Sequence, residues 1–236
     1  MVSAPPLSPS PAGHTGFERV AHRGAPRERL ENTLPGFLVA LERGADAIEL
    51  DVHLTKDGVV AVHHDDFTSR YPIAETSWGE LASLDLGQGA TIPRLDDVLA
   101  AIGDRATVYI ELKGRGIEGA VIDVARAHGR QYALHSFDHD AMARVANRAP
   151  DIARGVLLDR GIPGPVEVMR GAVDRIRPRD VWPHWSLVDA AFMDAARKLG
   201  TRVIAWTVNS TETARELQAF GVAGVCTDDV RLLVNL

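Results

Sequence analysis

Ala47-Ile48-Glu49-Leu50-Asp51-Val52-His53-Leu54-Thr55-Lys56-Asp57-Gly58-Val59-Val60-Ala61-Val62-His63-His64 is the stretch that decides the fold. Two apolar, β-branched runs, 47–52 and 59–64, flank a turn at Thr55-Lys56-Asp57-Gly58. Asp-Gly between such runs signals a hairpin. A parallel return would need a crossover of about a dozen residues or more, so the second run must fold back antiparallel on the first. Outward from this hairpin, further strands are expected near 19–23, 107–113, 131–136, 154–158, 180–184, 202–208 and 223–227. Helical patterns fit between them at 33–43, 95–102, 118–128, 138–147, 188–199 and 211–220, several closed by a glycine such as Gly44, Gly129, Gly200 or Gly221. Strands alternating with helices indicate a parallel sheet. Of nine strand candidates, setting aside the antiparallel 59–64 run leaves eight, in a chain of 236 residues. The expected fold class is therefore α/β, a (β/α)8 TIM barrel with a β-hairpin extension after the second strand.

Residues 17–236 read as a single barrel domain, with 66–94 as an excursion over the barrel mouth that lacks a barrel-helix pattern. Residues 1–16 are rich in Pro and Ser and read as a disordered tail; they have neither the basic start nor the apolar core of a secretion signal. No apolar run approaches the roughly 18 residues of a membrane span. Cytoplasmic residence without stable membrane association is the expectation. The composition, 45% hydrophobic and 25% charged, is that of an ordinary globular protein. A net charge of −6 and the lack of a basic stripe argue against nucleic acid as a partner. An anionic substrate would have to be drawn by a local cluster of cations. The lone Cys226, in the apolar run Gly224-Val225-Cys226, excludes an intramolecular disulfide and reads as a small buried hydrophobe. Oligomeric state is not legible.

Strand side chains alternate faces with period two. Glu49 and Asp51 therefore share one face, and so do Glu111 and Lys113 in Val108-Tyr109-Ile110-Glu111-Leu112-Lys113. Ile48, Leu50, Val52, Ile110 and Leu112 take the opposite, apolar face. Three carboxylates and an ammonium turned into a fold are costly unless paired. A divalent cation with an anionic substrate would pair them; a buried ion-pair network is the structural alternative. The active face of such a barrel is the C-terminal end of its strands, where Ala21-His22-Arg23-Gly24, His135-Ser136-Phe137, Trp206-Thr207-Val208-Asn209 and Thr227-Asp228-Asp229 also fall. Oxygen ligands favour Mg²⁺, Ca²⁺ or Mn²⁺ over Zn²⁺. Arg23 and Lys113 would neutralise phosphate oxygens. His22 and a second histidine, from the pair His63-His64 that the hairpin brings alongside residues 49–51, would serve as acid and base for a displacement at phosphorus. The two point to opposite faces, so if His64 is the one in the site, His63 falls at the hairpin surface. His14, His53, His128, His135, His139 and His184 lack a comparable constellation in the sequence.

In order along the chain, His22-Arg23-Gly24, Glu31-Asn32-Thr33-Leu34, Gly44 to Val52, Thr55-Lys56-Asp57-Gly58, His64-Asp65-Asp66, Ile92-Pro93-Arg94-Leu95, Glu111-Leu112-Lys113, Ser136-Phe137, Trp206 to Asn209 and Thr227-Asp228 resemble the glycerophosphodiester phosphodiesterase family. The resemblance runs from about residue 18 to the C-terminus. It implies a barrel and metal-dependent hydrolysis of glycerophosphodiesters to sn-glycerol 3-phosphate and an alcohol. It also implies roles: His22 and His64 as the acid/base pair; Glu49, Asp51 and Glu111 as ligands of one divalent cation; Arg23 and Lys113 as phosphate-binding cations. Glu31 would then hold Arg23 or a ligand in place, and Phe137 and Trp206 would line the substrate pocket. In the family-like route the glycerol 2-hydroxyl attacks phosphorus, and water then opens the cyclic phosphate.

Two departures bear on substrate range. Thr68-Ser69-Arg70-Tyr71 stands where the family often has an Arg-Thr-Thr run, and the stretch between Trp78 and Ile92 is short. Trp182-Pro183-His184-Trp185 is unusually aromatic, either a wall for the alcohol group or barrel packing. The alternatives to glycerophosphodiester hydrolysis are a lysophospholipase D-like activity on acylated substrates and a non-catalytic phosphodiester-binding protein. The second would be favoured by loss of a catalytic residue, and none is lost.

Overall fold

The computed structural model describes residues 16–129 and 131–234. The expected tail falls, apart from Gly16, outside the described residues. Eight parallel strands close into a barrel: β1 (Glu18–His22), β2 (Ala47–Leu54), β4 (Thr107–Leu112), β5 (Tyr132–Ser136), β6 (Arg154–Leu158), β7 (Asp180–Pro183), β8 (Arg202–Ala205) and β9 (Gly224–Thr227). Closure runs through β1, which pairs with β9 on one side and β2 on the other. The remaining strand, β3 (Val60–Val62), runs antiparallel to β2, with Val52 opposite Val62 and Leu54 opposite Val60. This is the hairpin expected from the Asp57-Gly58 turn.

The hairpin's place in the sheet follows from register. Val52 already has Leu112 of β4 on one side, so β3 must lie on the other side of β2, the side that β1 occupies lower down. β1 ends at His22, opposite Glu49, and the chain turns away at Arg23, whose φ is +54°. β3 takes up the vacated slot, and the His63 N–H donates to the Asp51 carbonyl at 3.0 Å. Topology thus carries His63 and His64 to the barrel end where His22 emerges.

Helices α1 (Leu34–Glu42), α3 (Leu95–Ile102), α4 (Glu118–Ala127), α5 (His139–Arg148), α6 (Pro165–Ile176), α7 (Ala190–Leu199) and α8 (Thr211–Phe220) connect the strands. Their starts carry side-chain caps where the sequence offers them: Thr33, Asp138, Asp189 and Ser210 each accept from an N–H of the first turn. α6 is absent from the sequence-based assignment. Pro163-Gly164-Pro165 reads as a loop, yet Gly164 adopts φ +59° and Pro165 opens the helix, a position where its missing N–H costs nothing. β8 ends at Ala205, short of the expected 202–208; beyond it Trp206 keeps only an isolated parallel bridge to His184.

Ile48, Leu50, Val52, Ile110 and Leu112 are buried in the core between strands and helices. The opposite strand face fills the barrel interior with Val20, Ala47, Tyr109, Ala133, Leu157, Trp182, Ile204 and Cys226. Trp182 therefore belongs to barrel packing and is 1% exposed, whereas Trp185 is 40% exposed. Of the aromatic run, Trp182 takes the packing role. At the N-terminal end of the strands the interior is closed by ion pairs: Asp180 meets Arg179 at 2.6 Å and Arg202 at 3.5 Å, and Glu18 meets Arg202 at 2.6 Å and the Tyr109 hydroxyl at 2.9 Å. Residues 66–94 hold a short turn at Ile73–Glu75 and helix α2 (Trp78–Leu81), with Ile73, Leu81 and Ile92 packed on Ala61 of β3. Among the described residues no helix is long and apolar enough to cross a membrane.

Candidate active site

Period-two alternation delivers Glu49, Asp51 and Glu111 to the barrel interior, and all three are buried. β2 and β4 are in register with Asp51 opposite Glu111, so the carboxylates come from neighbouring strands at one level. Lys113 Nζ lies 2.9 Å from Glu111 Oε1 and 3.3 Å from Asp51 Oδ1. Arg23 Nε lies 3.2 Å from Asp51 Oδ2, and the Arg23 backbone N–H donates to Glu49 Oε2 at 3.1 Å. Arg23 also donates from Nη1 to Glu31 Oε1 at 3.0 Å; Glu31 is half exposed at the edge of the cluster.

The turn after β1 is built for close approach. Gly24 has φ +92°, and a Cβ there would come within 2.9 Å of the Gly36 carbonyl carbon in α1. Arg23 and Asn32 both adopt φ +54°, a conformation that costs a residue with a Cβ about 1–2 kcal/mol. The two are tied together, since the Asn32 N–H donates to the Arg23 carbonyl at 2.9 Å. Asn32 in turn holds Asp51 twice: Nδ2 donates to Asp51 Oδ2 at 2.8 Å, and Oδ1 accepts from the Asp51 N–H at 3.2 Å. The sequence motif contains Asn32, but no role had been assigned to it.

Charge is unbalanced here, unlike at the opposite end of the barrel. Three buried carboxylates face two cations, Arg23 and Lys113, and Arg23 is shared with Glu31. Burial and the neighbouring Asp51 charge push the Glu111 carboxyl up to about 7. Burial alone would also raise Asp51, but Lys113, Arg23 and Asn32 outweigh it and hold Asp51 below the usual carboxylate range. Excess buried negative charge of this kind fits a divalent cation. One oxygen each of Glu49 and Glu111 and a ring nitrogen of His135 lie within 4.8 Å of one another and can hold such an ion. His135 thus corrects the reading that set it aside. It is paired in register with Glu111, 1% exposed, and its Nε2 is 3.7 Å from Glu49 Oε1.

Each of the two sequence-assigned acid/base histidines is fixed through Nδ1. His22 Nδ1–H donates to Asp228 Oδ1 at 2.7 Å, and His64 Nδ1–H donates to Asp65 Oδ1 at 2.7 Å. A carboxylate only accepts, so the proton sits on Nδ1 and Nε2 is left for chemistry. Asp228 is itself held, accepting from Asn209 Nδ2 at 2.6 Å and donating its N–H to Asn209 Oδ1 at 2.9 Å. Asn209 and Asp228 both stand in motifs quoted from the sequence, yet their service to His22 spans 206 positions and shows only on closure of the barrel. His53, another histidine without an assigned role, faces the His64 carbonyl at 3.0 Å from Nε2. His63 is half-buried rather than a surface residue of the hairpin. Phe137 and Trp206 meet edge to face at 5.3 Å, and Lys113 Nζ lies 5.9 Å from the Phe137 ring centre, which places this aromatic pair beside the charged cluster.

Asp228→Asn gives a first expected outcome. Burial disfavours the charged His22 imidazole, but the Asp228 hydrogen bond and the nearby Glu49 charge outweigh it and raise its pKa above the ordinary value. A neutral amide at 228 withdraws that support, so His22 should lose its proton at lower pH than in the parent. Histidine resonances followed by NMR should show the shift, and the limb of the kcat/KM profile set by His22 should move the same way. An unchanged His22 titration would show that Asp228 does not support the charged ring.

A family model described as the glycerophosphoryl diester phosphodiesterase family matches residues 22–232. A glycerophosphodiester phosphodiesterase of Caldanaerobacter subterraneus subsp. tengcongensis is 32% identical, over 92% of this chain and 96% of the relative. The crystal structure of a Thermotoga maritima glycerophosphodiester phosphodiesterase superposes with a TM-score of 0.82 at 29% identity, over 94% of this chain and 99% of that one. An Oleispira antarctica phosphodiesterase, solved with the product sn-glycerol-3-phosphate, gives a TM-score of 0.83 at 28% identity, over 91% of this chain and 94% of that one. With the match running from His22, the last residue of β1, to residue 232, the chain belongs to the glycerophosphoryl diester phosphodiesterase family and is a phosphoric diester hydrolase.

Proposed function

We propose that the chain hydrolyses glycerophosphodiesters to sn-glycerol 3-phosphate and an alcohol, with one divalent cation, Mg²⁺, Ca²⁺ or Mn²⁺, held by Glu49, Asp51 and Glu111. The observation that carries the reading is the surplus of buried carboxylate at the barrel end that also holds two histidines, each tied to a carboxylate through Nδ1 with Nε2 left for chemistry. The product bound by the Oleispira antarctica relative supports the glycerol phosphate half of the substrate.

Arg23 and Lys113 bind the phosphate oxygens and position phosphorus under the histidines. Nε2 of one imidazole takes the proton of the glycerol 2-hydroxyl as that oxygen attacks phosphorus. Nε2 of the other protonates the departing alcohol. Water then opens the cyclic phosphate with the two roles reversed. Glu31 keeps the Arg23 guanidinium turned toward the cluster, and Phe137 and Trp206 wall the pocket. When bound, the cation supplies Lewis-acid charge at the phosphate oxygens. Phe67, 51% exposed in the loop just beyond His64, favours acylated lysophospholipids as a second reading.

The test follows release of sn-glycerol 3-phosphate from glycerophosphodiesters of differing alcohols, with a lysophospholipid as competitor. Exhaustive chelation should lower turnover by roughly a thousandfold, about 4 kcal/mol of barrier, and any of the three ions should restore it. Full activity in metal-free buffer would sink the cation assignment, and preferential cleavage of the lysophospholipid would transfer the assignment to the second reading.

A further inference from the structure

His135 is a buried polar side chain beside the cluster that the route above does not use. It stands on β5 directly beside Glu111 of β4. Trp182 packs against its ring edge to face at 4.6 Å, and Tyr109 lies tilted at 6.1 Å. Neither ring nitrogen has a hydrogen-bond partner in the described structure. Glu49 Oε1 is 3.7 Å from Nε2, too far for a hydrogen bond. Leaving a buried polar group unpaired costs about 1–3 kcal/mol. Aromatic packing on the ring's sides aims that unpaired edge at the two glutamates.

An ion about 2.0–2.3 Å from each ligand draws its donors to within roughly 4.5 Å of one another. The oxygens of Glu49 and Glu111 and the His135 nitrogen already lie within 4.8 Å. Asp51, by contrast, is engaged by Asn32, Arg23 and Lys113. His135 is thus a donor that can join Glu49 and Glu111 without giving up an existing partner.

We propose that His135 is a nitrogen ligand of the divalent cation, making the centre a mixed nitrogen–oxygen site that prefers Mn²⁺, Co²⁺ or Zn²⁺ to Mg²⁺ and Ca²⁺. The inference rests on the reading that the cluster holds a cation. It overturns the all-oxygen argument for hard ions, because imidazole favours transition metals over Mg²⁺ and Ca²⁺. It leaves the phosphate-binding and acid/base assignments untouched.

The experiment loads the full chain with Mn²⁺, records pulsed EPR on ¹⁴N- and ¹⁵N-histidine-labelled protein, and measures affinities for Mn²⁺, Co²⁺ and Mg²⁺ by calorimetry. The expected result is one bound ion showing histidine nitrogen coupling that changes with the isotope. The coupling should vanish in His135→Gln and His135→Asn, and Co²⁺ affinity should fall at least about tenfold in both, with Mg²⁺ affinity changing less. One bound ion without nitrogen coupling in the parent would overturn the proposal while the cation reading stands. Coupling that persists in a folded His135 variant would overturn it too, assigning the signal to another histidine. Failure of all three ions to bind would remove the cation reading and this inference together.

Discussion

Replacing His22 or His64 with alanine should each lower kcat by about 10²–10⁴-fold, the range of a positioned general acid or base. That corresponds to roughly 3–5 kcal/mol of barrier. The expectation rests on matched geometry. Each ring gives its Nδ1 proton to a carboxylate 2.7 Å away, Asp228 for His22 and Asp65 for His64. Each therefore presents Nε2 in a fixed direction. His63→Ala should stay within about tenfold of the parent. Its ring has no carboxylate hydrogen bond among the described residues, and burial pushes its imidazole below the ordinary value. One of the two working histidines must begin neutral and the other protonated, so kcat/KM should be bell-shaped in pH. A larger loss for His63→Ala than for His64→Ala would show that the hairpin presents the other histidine to the substrate. Period two allows that only if the strand slips by one residue, which the Val52–Val62 pairing opposes.

A glycerophosphodiester lacking the 2-hydroxyl should be cleaved at least roughly a thousandfold more slowly than its parent compound. Aligned intramolecular attack reaches effective molarities of about 10⁵ M or more, an advantage the deoxy analogue forfeits. Neither the Ser136 hydroxyl nor the Cys226 thiol is set up to take its place. The Ser136 hydroxyl donates to the Leu112 carbonyl at 2.7 Å and accepts from the Asp138 N–H at 3.1 Å, with no histidine on it. Cys226 is buried in the barrel interior, and that burial pushes its thiol pKa well up, away from the reactive thiolate. A 1,2-cyclic glycerophosphate should be detectable by ³¹P NMR or be accepted as a substrate. Comparable kcat/KM for the deoxy analogue, with ¹⁸O from water entering phosphate in the first step, would replace the two-step route with direct hydrolysis. The histidine assignments would survive that result.

Local periodicity was enough for much of this. The Asp57-Gly58 turn forced 59–64 antiparallel, and counting the remaining strands then determined a barrel of eight. The alternation Glu49-Leu50-Asp51 and Glu111-Leu112-Lys113 determined which side chains face inward, because strand geometry assigns faces without any knowledge of neighbours. The tertiary structure decided what local pattern does not encode: which residues of different strands share a level. Register between β4 and β5 puts His135 beside Glu111. Period two alone could not distinguish it from a histidine buried lower in the barrel. Closure of β9 on β1 brings Asp228 to His22 across 206 positions. The same closure leaves β2 with an open slot above His22 for β3 to fill. Height along the barrel axis also separates Trp182, packed in the interior, from Trp185 at the rim, though three positions part them. Faces follow from the bonds within one strand; levels follow from the stagger at which eight strands can close, a property of the whole ring.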